Sequence, residues 1–283
     1  MKKLLTLALS SLLALSLLAG CGSNNTAASG SASASTGETV TLKVGASITP
    51  HAEILAQCKP ILAEQGIDLE VVEYTDYVQP NTALEDGSLD ANYFQHINYL
   101  NWFNSEYGTH LVSAASVHYE PFGIYAGKVA SIADLKDGDE VIIPNDGSNE
   151  TRALLLLQQE GLITLKDGIT AASNATVQDI ESYNVNITIR EIEAAQLTQA
   201  LPGIAMAVIN GNYALQGGLN AGSDALAIEA ADGDAAQEYG NILAVKEGHE
   251  NDPAILALID VLHSDTIRNF INNTYGGAVV PTF

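Results

Sequence analysis

The amino-acid sequence predicts an α/β protein with largely parallel β-sheets. From Val40 onward, strand-like segments of period two alternate with helix-like segments of period about 3.6. The sequence contains no internal repeat of about 20–50 residues, which argues against a solenoid or a propeller. Roughly 240 residues of such alternation are enough for two sheets. Because α/β proteins bind ligands where strands end, we expect a binding cleft between the two sheets.

The first predicted elements follow one another closely along the chain. Val40, Leu42 and Val44 alternate with polar residues and predict a strand, and residues 67–74 predict a second one. Apolar residues at helical spacing predict a helix between these strands. Pro60 is expected to kink or interrupt that helix, because proline removes a backbone donor and clashes with the preceding turn.

The alternation continues in the middle of the chain. Strands are predicted at residues 140–144, 185–191 and 204–210. A polar turn follows the first of these strands, and a helix is predicted to begin near Asn149 or Glu150. This order of elements supports the α/β assignment for the second half of the protein.

Two helices are predicted near the end of the chain. Asp252 is suited to cap the first of them, and Pro253 is suited to its first helical position. Ser264 is predicted to cap a last short helix in the same way. Both helices carry an apolar stripe, so both are expected to pack on a sheet.

The composition excludes one class of partner. The 283 residues include 34 Asp and Glu against 11 Lys and Arg, which gives a formal net charge of −23. Binding to nucleic acid or to an anionic membrane surface needs clustered Lys and Arg, so we expect no nucleic-acid partner. With 47% hydrophobic and 16% charged residues, the chain has the balance of a globular protein.

The N-terminal segment has the features of a lipoprotein signal and a tether. Residues 1–20 combine two lysines with an apolar run that is too short to span a membrane, which needs about 20 mostly apolar residues. Leu-Ala-Gly-Cys, ending at Cys21, is typical of a bacterial lipobox, in which the cysteine carries the lipid. An ordinary signal peptide is the alternative. Residues 21–40 are predicted to be a flexible linker that holds the protein at the extracytoplasmic face of the cell membrane.

The cysteines and histidines favour neither a disulfide nor catalysis. Besides Cys21 the chain has Cys58, which lies among apolar residues and is predicted to be buried. No GxSxG, P-loop, HExxH or paired-cysteine pattern occurs, so we expect no enzyme activity, no cofactor and no metal site. A zinc site formed by His51, His96 and His118 is the alternative.

The aromatic residues are scarce, at 6% of the chain, but they cluster. They occur mainly in residues 74–77, 93–103 and 119–125. Rings with polar edges can enclose an apolar ligand and fix its orientation. A position in the core is the alternative, which we favour for Trp102 and Phe103 and leave open for the rest of the middle cluster.

Residues 144–157 form the most informative polar segment. A helix N-terminus attracts carboxylates, and Arg152 is predicted to lie in the first turn of the helix, where a cation needs an anionic neighbour. Its guanidinium can bind a ligand carboxylate with two hydrogen bonds, while a salt bridge to an acidic residue is the alternative. Asn210 and Asn241 lie beside predicted strand ends, where they could contact a ligand or only cap turns.

Several longer segments, taken together with the lipobox, resemble the NlpA lipoprotein family, and the resemblance covers essentially the whole chain after Thr41. The segments are DYVQPNTALEDGSLDANYFQHINYL, HYEPFGIYAGKVASIADLKDGDEVIIPND, RALLLLQQEGLITLKDG, AVINGNYA and GGAVVPTF. Members of this family are the substrate-binding lipoproteins of methionine ABC importers. The resemblance therefore implies a non-enzymatic receptor that delivers L-methionine, D-methionine or both to an ABC permease with its ATPase subunits.

The resemblance also implies a two-lobed periplasmic-binding-protein fold, similar to type II, with the ligand cleft between the lobes. One lobe would contain residues 41–122 and 242–283, and the other residues 123–241. The extended passages Tyr119–Tyr125 and Asn241–Val245 would be the hinges.

The family motifs imply positions for the ligand contacts in this sequence. The methionine side chain would be surrounded by Tyr77, Phe94, His96, Tyr99 and Tyr119. Arg152, with Asn149 nearby, would bind the carboxylate, and Asn210 and Asn241 would make the remaining polar contacts.

The chain departs from the family pattern at one loop, and other functions remain as alternatives. Gly147 and Ser148 stand where the family usually has Pro-Thr, so the loop is expected to be less rigid and the contact of Asn149 less certain. The alternatives are a receptor for another apolar amino acid or a methionine-containing dipeptide, a metal-binding receptor, and an adhesion lipoprotein.

Overall fold

The computed structural model of the protein describes residues 39–230 and 238–283. Cys21, the predicted signal peptide and nearly all of the predicted linker lie outside the described residues. Within the described ranges, no helix is both long and apolar enough to cross a membrane.

Thirteen strands are present in the described residues. In chain order they are β1 (Val40–Ser47), β2 (Ile67–Tyr74), β3 (Ala91–His96), β4 (Leu111–Tyr119), β5 (Gly123–Ala126), β6 (Glu140–Pro144), β7 (Ile163–Leu165), β8 (Ile180–Tyr183), β9 (Thr188–Ile192), β10 (Met206–Ile209), β11 (Ala225–Ile228), β12 (Gly240–Lys246) and β13 (Val280–Pro281). The strands predicted at the start and in the middle of the chain are confirmed, with ends that differ by a few residues.

Eight α-helices lie between these strands in the described part of the chain. They are α1 (Glu53–Ala63), α2 (Gln79–Glu85), α3 (Ile97–Tyr107), α4 (Gly147–Gln159), α5 (Leu197–Ala200), α6 (Gly211–Gln216), α7 (Pro253–Leu262) and α8 (Asp265–Tyr275).

Two large sheets have the same internal order. The first is β13-β4-β12-β3-β1-β2, and the second is β11-β5-β10-β6-β9. In the first sheet β1, β2 and β3 are parallel and β12 is antiparallel to both β3 and β4. In the second sheet β6, β9 and β10 are parallel and β5 is antiparallel to β10 and β11. The chain passes from the first sheet to the second after β4 and returns to the first sheet at β12. The first strand formed after each passage, β5 in the second sheet and β12 in the first, lies between two strands to which it is antiparallel.

Each sheet has its own apolar core. Leu42, Val44 and Leu69 of the first sheet pack against helices α1, α7 and α8. In the second sheet, Val141 and Val208 pack against one face of α4. Cys58 is fully buried in the first core, as predicted. Phe103 is also fully buried, whereas Trp102 is half-buried.

Of the two effects expected of Pro60, a kink or an interruption, the interruption of the first helix is not observed. Helix α1 is not interrupted at Pro60 but continues to Ala63. Pro60 lies in the last turn of the helix, so that its missing N–H removes a single hydrogen bond close to the C-terminal end.

The start of helix α4 also differs from the prediction. The helix begins at Gly147 rather than at Asn149 or Glu150, because the side chain of Asp146 accepts a hydrogen bond of 2.9 Å from the backbone N–H of Asn149 and caps the helix. Arg152 consequently lies in the second turn and not in the first. The predicted positions of Pro253 at the start of α7 and of Ser264 as the cap of α8 are confirmed.

Candidate functional site

A narrow cavity lies where the two sheets face each other. The strands β3, β6 and β10 end beside it, which is the usual place for a ligand in α/β proteins. From the side of the first sheet, the cavity is lined by Tyr77, Phe94, Gln95, His96 and Asn241. From the side of the second sheet, it is lined by Asn149, Arg152, Asn210, Gly211 and Asn212, and Glu120 lies between β4 and β5.

Seven of the nine predicted binding residues line this cavity. The other two, Tyr99 and Tyr119, are not among the lining residues. The hydroxyl of Tyr99 donates a hydrogen bond of 3.1 Å to the backbone oxygen of Tyr77, and its ring lies 5.6 Å from the Tyr77 ring. Tyr99 therefore packs behind Tyr77 and supports the aromatic side of the cavity.

Tyr77 and Phe94 form the aromatic side of the cavity. Their ring centroids are 5.7 Å apart, and the hydroxyl of Tyr77 donates to Asn212 Oδ1 at 2.5 Å. Tyr213 packs 4.9 Å from the other side of Tyr77. Burial raises the pKa of Tyr77 well above its ordinary value, so this residue presents a neutral ring and a hydroxyl donor.

Asn149 connects residues from both sheets. Its Oδ1 accepts from Asn210 Nδ2 at 2.8 Å and lies 3.1 Å from His96 Nε2. The backbone N–H of Tyr99 donates to His96 Nδ1, so Nε2 carries the imidazole proton and donates to Asn149. Burial and the nearby Arg152 lower the pKa of His96 to about 3, which keeps the imidazole neutral. Despite Gly147, Asn149 is held firmly, since its Nδ2 donates to Asp146 as well.

Arg152 forms a buried ion pair with Glu229, which is the alternative stated from the sequence. Its Nε donates to Glu229 Oε2 at 2.8 Å, and its Nη2 donates to Glu229 Oε1 and, at 3.0 Å, to the backbone oxygen of Glu120. Burial alone would lower the pKa of Arg152, but Glu229 raises it above the ordinary value. The remaining nitrogen, Nη1, makes no hydrogen bond to any described residue.

Glu229 also explains the position of Tyr119. The Tyr119 hydroxyl donates to Glu229 Oε1 at 2.5 Å, and the backbone N–H of Phe122 donates to the same oxygen at 3.1 Å. Tyr119 is therefore part of the support behind Arg152. The Arg152 guanidinium also lies 4.1 Å from the centroid of the Tyr239 ring, in a cation–π contact.

Two buried amide atoms beside the cavity have no hydrogen-bond partner in the described part of the chain. They are an acceptor, Asn210 Oδ1, and a donor, Asn212 Nδ2. Buried amide groups normally form hydrogen bonds, so these two atoms are suited to contact a polar ligand.

The sequence reasoning missed four lining residues. Asn212 and Gly211 directly follow Asn210, so the strand end that identified Asn210 was also a signal for them. Gln95 lies inside the aromatic cluster and could have been found in the same way. Glu120 had no comparable signal, because it is one acid among 34 Asp and Glu residues.

The three-histidine zinc site, which was the alternative to the expectation of no metal site, does not form. Among the described residues, the one group of possible metal ligands within 4.8 Å of one another is His51, His118 and Glu120, and His96 is not part of it. His96 instead contacts Asn149.

The comparison with known protein families adds to this geometry. The family model described as NlpA lipoprotein matches residues 42–283. The chain belongs to the NlpA lipoprotein family. It is accordingly a non-enzymatic substrate-binding lipoprotein of the ABC-transporter type.

Two relatives of the chain agree with it in sequence over most of their length. The chain is 41% identical over 272 residues to the methionine-binding lipoprotein MetQ of Bacillus subtilis, covering 94% of this chain and 93% of that protein. A nutrient binding protein from Burkholderia cenocepacia, solved bound to methionine, is 39% identical with a TM-score of 0.82, covering 86% of this chain and 100% of that one.

A third relative bears on the fold class. It is an ABC transporter periplasmic substrate-binding protein from Coxiella burnetii, 36% identical with a TM-score of 0.79, covering 85% of this chain and 99% of that one. The predicted two-lobed periplasmic-binding-protein fold is thereby confirmed. We call the first sheet with its helices the first lobe and the second sheet with its helices the second lobe.

Proposed function

We propose that the protein captures methionine outside the cell membrane and delivers it to an ABC permease. The observation that carries this proposal is the composition of the cavity wall. One side is aromatic, and the other holds the guanidinium of Arg152 and the carboxyl group of Glu120, with a free amide acceptor and a free amide donor. An amino-acid zwitterion with an apolar side chain has the matching groups.

The carboxylate of the ligand would bind at Arg152. Because Glu229 occupies Nε and Nη2, the free Nη1 is the guanidinium donor for the ligand, and Asn212 Nδ2 is a second donor close by. Hydrogen bonds from a charged donor contribute about 1.5–3 kcal/mol each. Asn149 would act mainly by holding Asn210 in place, and Asn241 would complete the polar side of the cavity.

The thioether of methionine would lie against Tyr77 and Phe94. Sulfur–aromatic contacts contribute about 0.3–1.5 kcal/mol, and an unbranched side chain adapts to an irregular wall. The names of the relatives from Bacillus subtilis and Burkholderia cenocepacia support methionine as the ligand. The predicted boundaries of the moving lobes and the hinges remain proposals of the same kind.

The lipid anchor completes the proposal. A lipid on Cys21 would hold the protein at the extracytoplasmic face of the membrane, and the linker would let it reach its permease. Membership of a lipoprotein family supports this placement.

Calorimetric titration of the purified protein with the twenty amino acids and D-methionine tests the ligand. We expect binding of at least one methionine enantiomer, with leucine and other apolar amino acids bound more weakly. Tight binding of a different amino acid, with no binding of either methionine enantiomer, would show that the assignment is wrong. Alanine at Cys21 should release the protein from the membrane fraction without changing its affinity.

A further inference from the structure

Glu120 is a buried carboxylate that faces the ligand cavity without a cationic partner among the described residues. Its side chain is 5% exposed. Arg152 Nη2 donates to the backbone oxygen of Glu120, and Nε and Nη2 donate to the carboxylate of Glu229 rather than to that of Glu120. Buried acidic groups in proteins are normally either paired with a cation or protonated, so a cation from outside these residues would be needed to keep Glu120 ionised.

The hydrogen bonds around Glu120 show that its carboxyl group is an acceptor. The buried hydroxyl of Tyr93 contacts His118 Nδ1 and has no other acceptor in the described structure, so it donates to that nitrogen. The proton of His118 is therefore on Nε2, which donates to Glu120 Oε1 at 2.7 Å.

The second histidine beside Glu120 is neutral as well. His51 Nε2 donates to Asn241 Oδ1 at 3.0 Å and lies 3.5 Å from Glu120 Oε1. Burial lowers the pKa of His51 to about 4 and the pKa of His118 to about 3. The donors that hold Glu120 are therefore neutral, and burial raises the pKa of its carboxyl group, so a cation placed beside it would stabilise the ionised form.

Gly211 permits this arrangement on the side of the second lobe. A Cβ atom at position 211 would lie 2.6 Å from Glu120 Cβ and 2.8 Å from Glu120 Oε2. Glycine thus lets the carboxylate approach the backbone at position 211, and Asn210, whose Oδ1 is an acceptor without a partner in the described residues, lines the same cavity.

We propose that Glu120 binds the ammonium group of the amino-acid ligand, with Asn210 Oδ1 as a second acceptor. The proposal rests on the proposed function and adds a residue to it. In an amino acid the ammonium and carboxylate groups are attached to one carbon, and Glu120 and Arg152 are likewise adjacent, with 3.0 Å between Arg152 Nη2 and the Glu120 backbone oxygen. The site would therefore select primary amines and reject deaminated analogues.

Titrations with methionine and with its deaminated analogue, 4-(methylthio)butanoate, test the assignment. For the wild-type protein we expect the analogue to bind at least about 30-fold more weakly than methionine, because a buried charge would lose its partner. Glu120→Gln should weaken methionine by a similar factor and leave the analogue unchanged or improved. Glu120→Asp, which keeps the charge, should retain part of the discrimination, and melting temperatures verify that each variant is folded.

Glu150→Gln is the matched control, since it also converts a buried carboxyl group to an amide but does not line the cavity. This variant should bind methionine and the deaminated analogue with the same ratio of affinities as the wild type. The proposal is wrong if Glu120→Gln and the wild type have the same ratio of affinities for methionine and the analogue. It is also wrong if the variant loses affinity for both ligands by the same factor. If the wild type binds a different amino acid, the assignment of methionine is wrong. The role of Glu120 is then tested by the same titrations with that amino acid and its deaminated analogue. If it binds none, both proposals are wrong.

A divalent metal is the competing partner, because His51, His118 and Glu120 include imidazole and carboxylate ligands. Titration with Zn²⁺ alone distinguishes the two. We expect no binding that depends on Glu120. Tight Zn²⁺ binding that is lost in both Glu120→Gln and His118→Gln, together with discrimination that does not depend on Glu120, would overturn the proposal.

Discussion

At the scale of single residues, the binding properties of the cavity depend on which group pairs with each charged side chain. Arg152 and Glu229 compensate each other and are almost fully buried, with 4% and 8% of their surface exposed. Glu229 also accepts from the hydroxyl of Tyr119, so this pair is a fixed part of the protein. It positions the guanidinium before any ligand arrives, which reduces the entropy lost on binding.

The ion pair leads to a prediction about stability. Arg152→Ala should lower the free energy of unfolding by about 3–5 kcal/mol, because the Glu229 carboxylate would remain buried without its partner. Urea denaturation measures the change. The double variant Arg152→Ala/Glu229→Gln should recover much of the loss but bind the ligand no better than the single variant. A double variant as unstable as the single one would contradict this interpretation of the pair.

Glu150 leads to a prediction about pH. Burial raises its pKa from 4.5 to about 7, although the N–H of Val177 donates to it. Since the pKa is higher in the folded protein, the stabilising contribution of Glu150 is present at low pH and is lost as the pH rises through about 7. Glu150→Gln should therefore be more stable than the wild type by about 1–2 kcal/mol at pH 8.5, and this advantage should disappear near pH 4.

Glu140, a second carboxylate, should change the stability of the protein with pH in the opposite direction, as urea denaturation of both variants would show. The hydrogen bond from Arg190 lowers the pKa of Glu140, so Glu140 stabilises the protein at high pH. Denaturation of Glu140→Gln at the same pH values should show a loss of stability at pH 8.5. An equal effect of pH on both variants would refute the assignment of these shifts.

At the scale of secondary-structure elements, the start of α4 shows what the sequence could and could not reveal. The period of the apolar residues predicted a helix here, because one face of α4 covers the second sheet. Its first residue was misplaced because Asp146 lies in a run of small polar residues, several of which can cap a helix. Which of them does so depends on where the strand before it ends.

Gly147 at the start of α4 is in close contact with the first lobe. A Cβ atom at this position would lie 2.7 Å from the indole Nε1 of Trp102 on α3. We expect Gly147→Ala to displace the Trp102 ring and to weaken ligand binding about 3- to 10-fold by opposing lobe closure, as calorimetry would show. Gly147→Ala/Trp102→Ala should bind better than Gly147→Ala alone, and Gly203→Ala, where a Cβ meets nothing within 4 Å, should have no effect.

At the scale of the whole molecule, hydrogen bonds near the cavity join the two lobes. The Tyr213 hydroxyl donates to the backbone oxygen of Thr75 at 3.1 Å, and His96 donates to Asn149. These bonds have to break when the lobes separate, so the lobe contacts and the ligand together determine the equilibrium between open and closed forms.

Trp102 should report this equilibrium. It is the single tryptophan of the chain, and it lies half-buried between α3 and the start of α4. We expect ligand addition to shift the wavelength or intensity of its fluorescence in a saturable manner, with the same midpoint as calorimetry gives. The variant Trp102→Phe should bind the ligand without this signal. Unchanged emission at saturating ligand would argue against a movement at this contact.

The acids of the cavity show the limit of prediction from the sequence. The aromatic residues, Arg152 and the asparagines were predicted because their types are scarce, because they occur at strand ends, or because they match motifs of the family that the sequence resembles. Glu120 and Glu229 were not predicted, because they are single acids in an acidic chain and are 109 residues apart. Their roles depend on tertiary contacts, which no local pattern in the sequence records.

The strand order of the first sheet has a consequence for the biogenesis of the protein. Strand β12 lies between β3 and β4, yet β4 ends at Tyr119 and β12 begins at Gly240, after 120 further residues have been synthesised. At about 5–20 residues per second, a ribosome needs about 6–24 s for this stretch, during which the sheet lacks a central strand. The first sheet therefore stays incomplete until β12 has been synthesised, and the N-terminal half cannot complete its fold ahead of the rest.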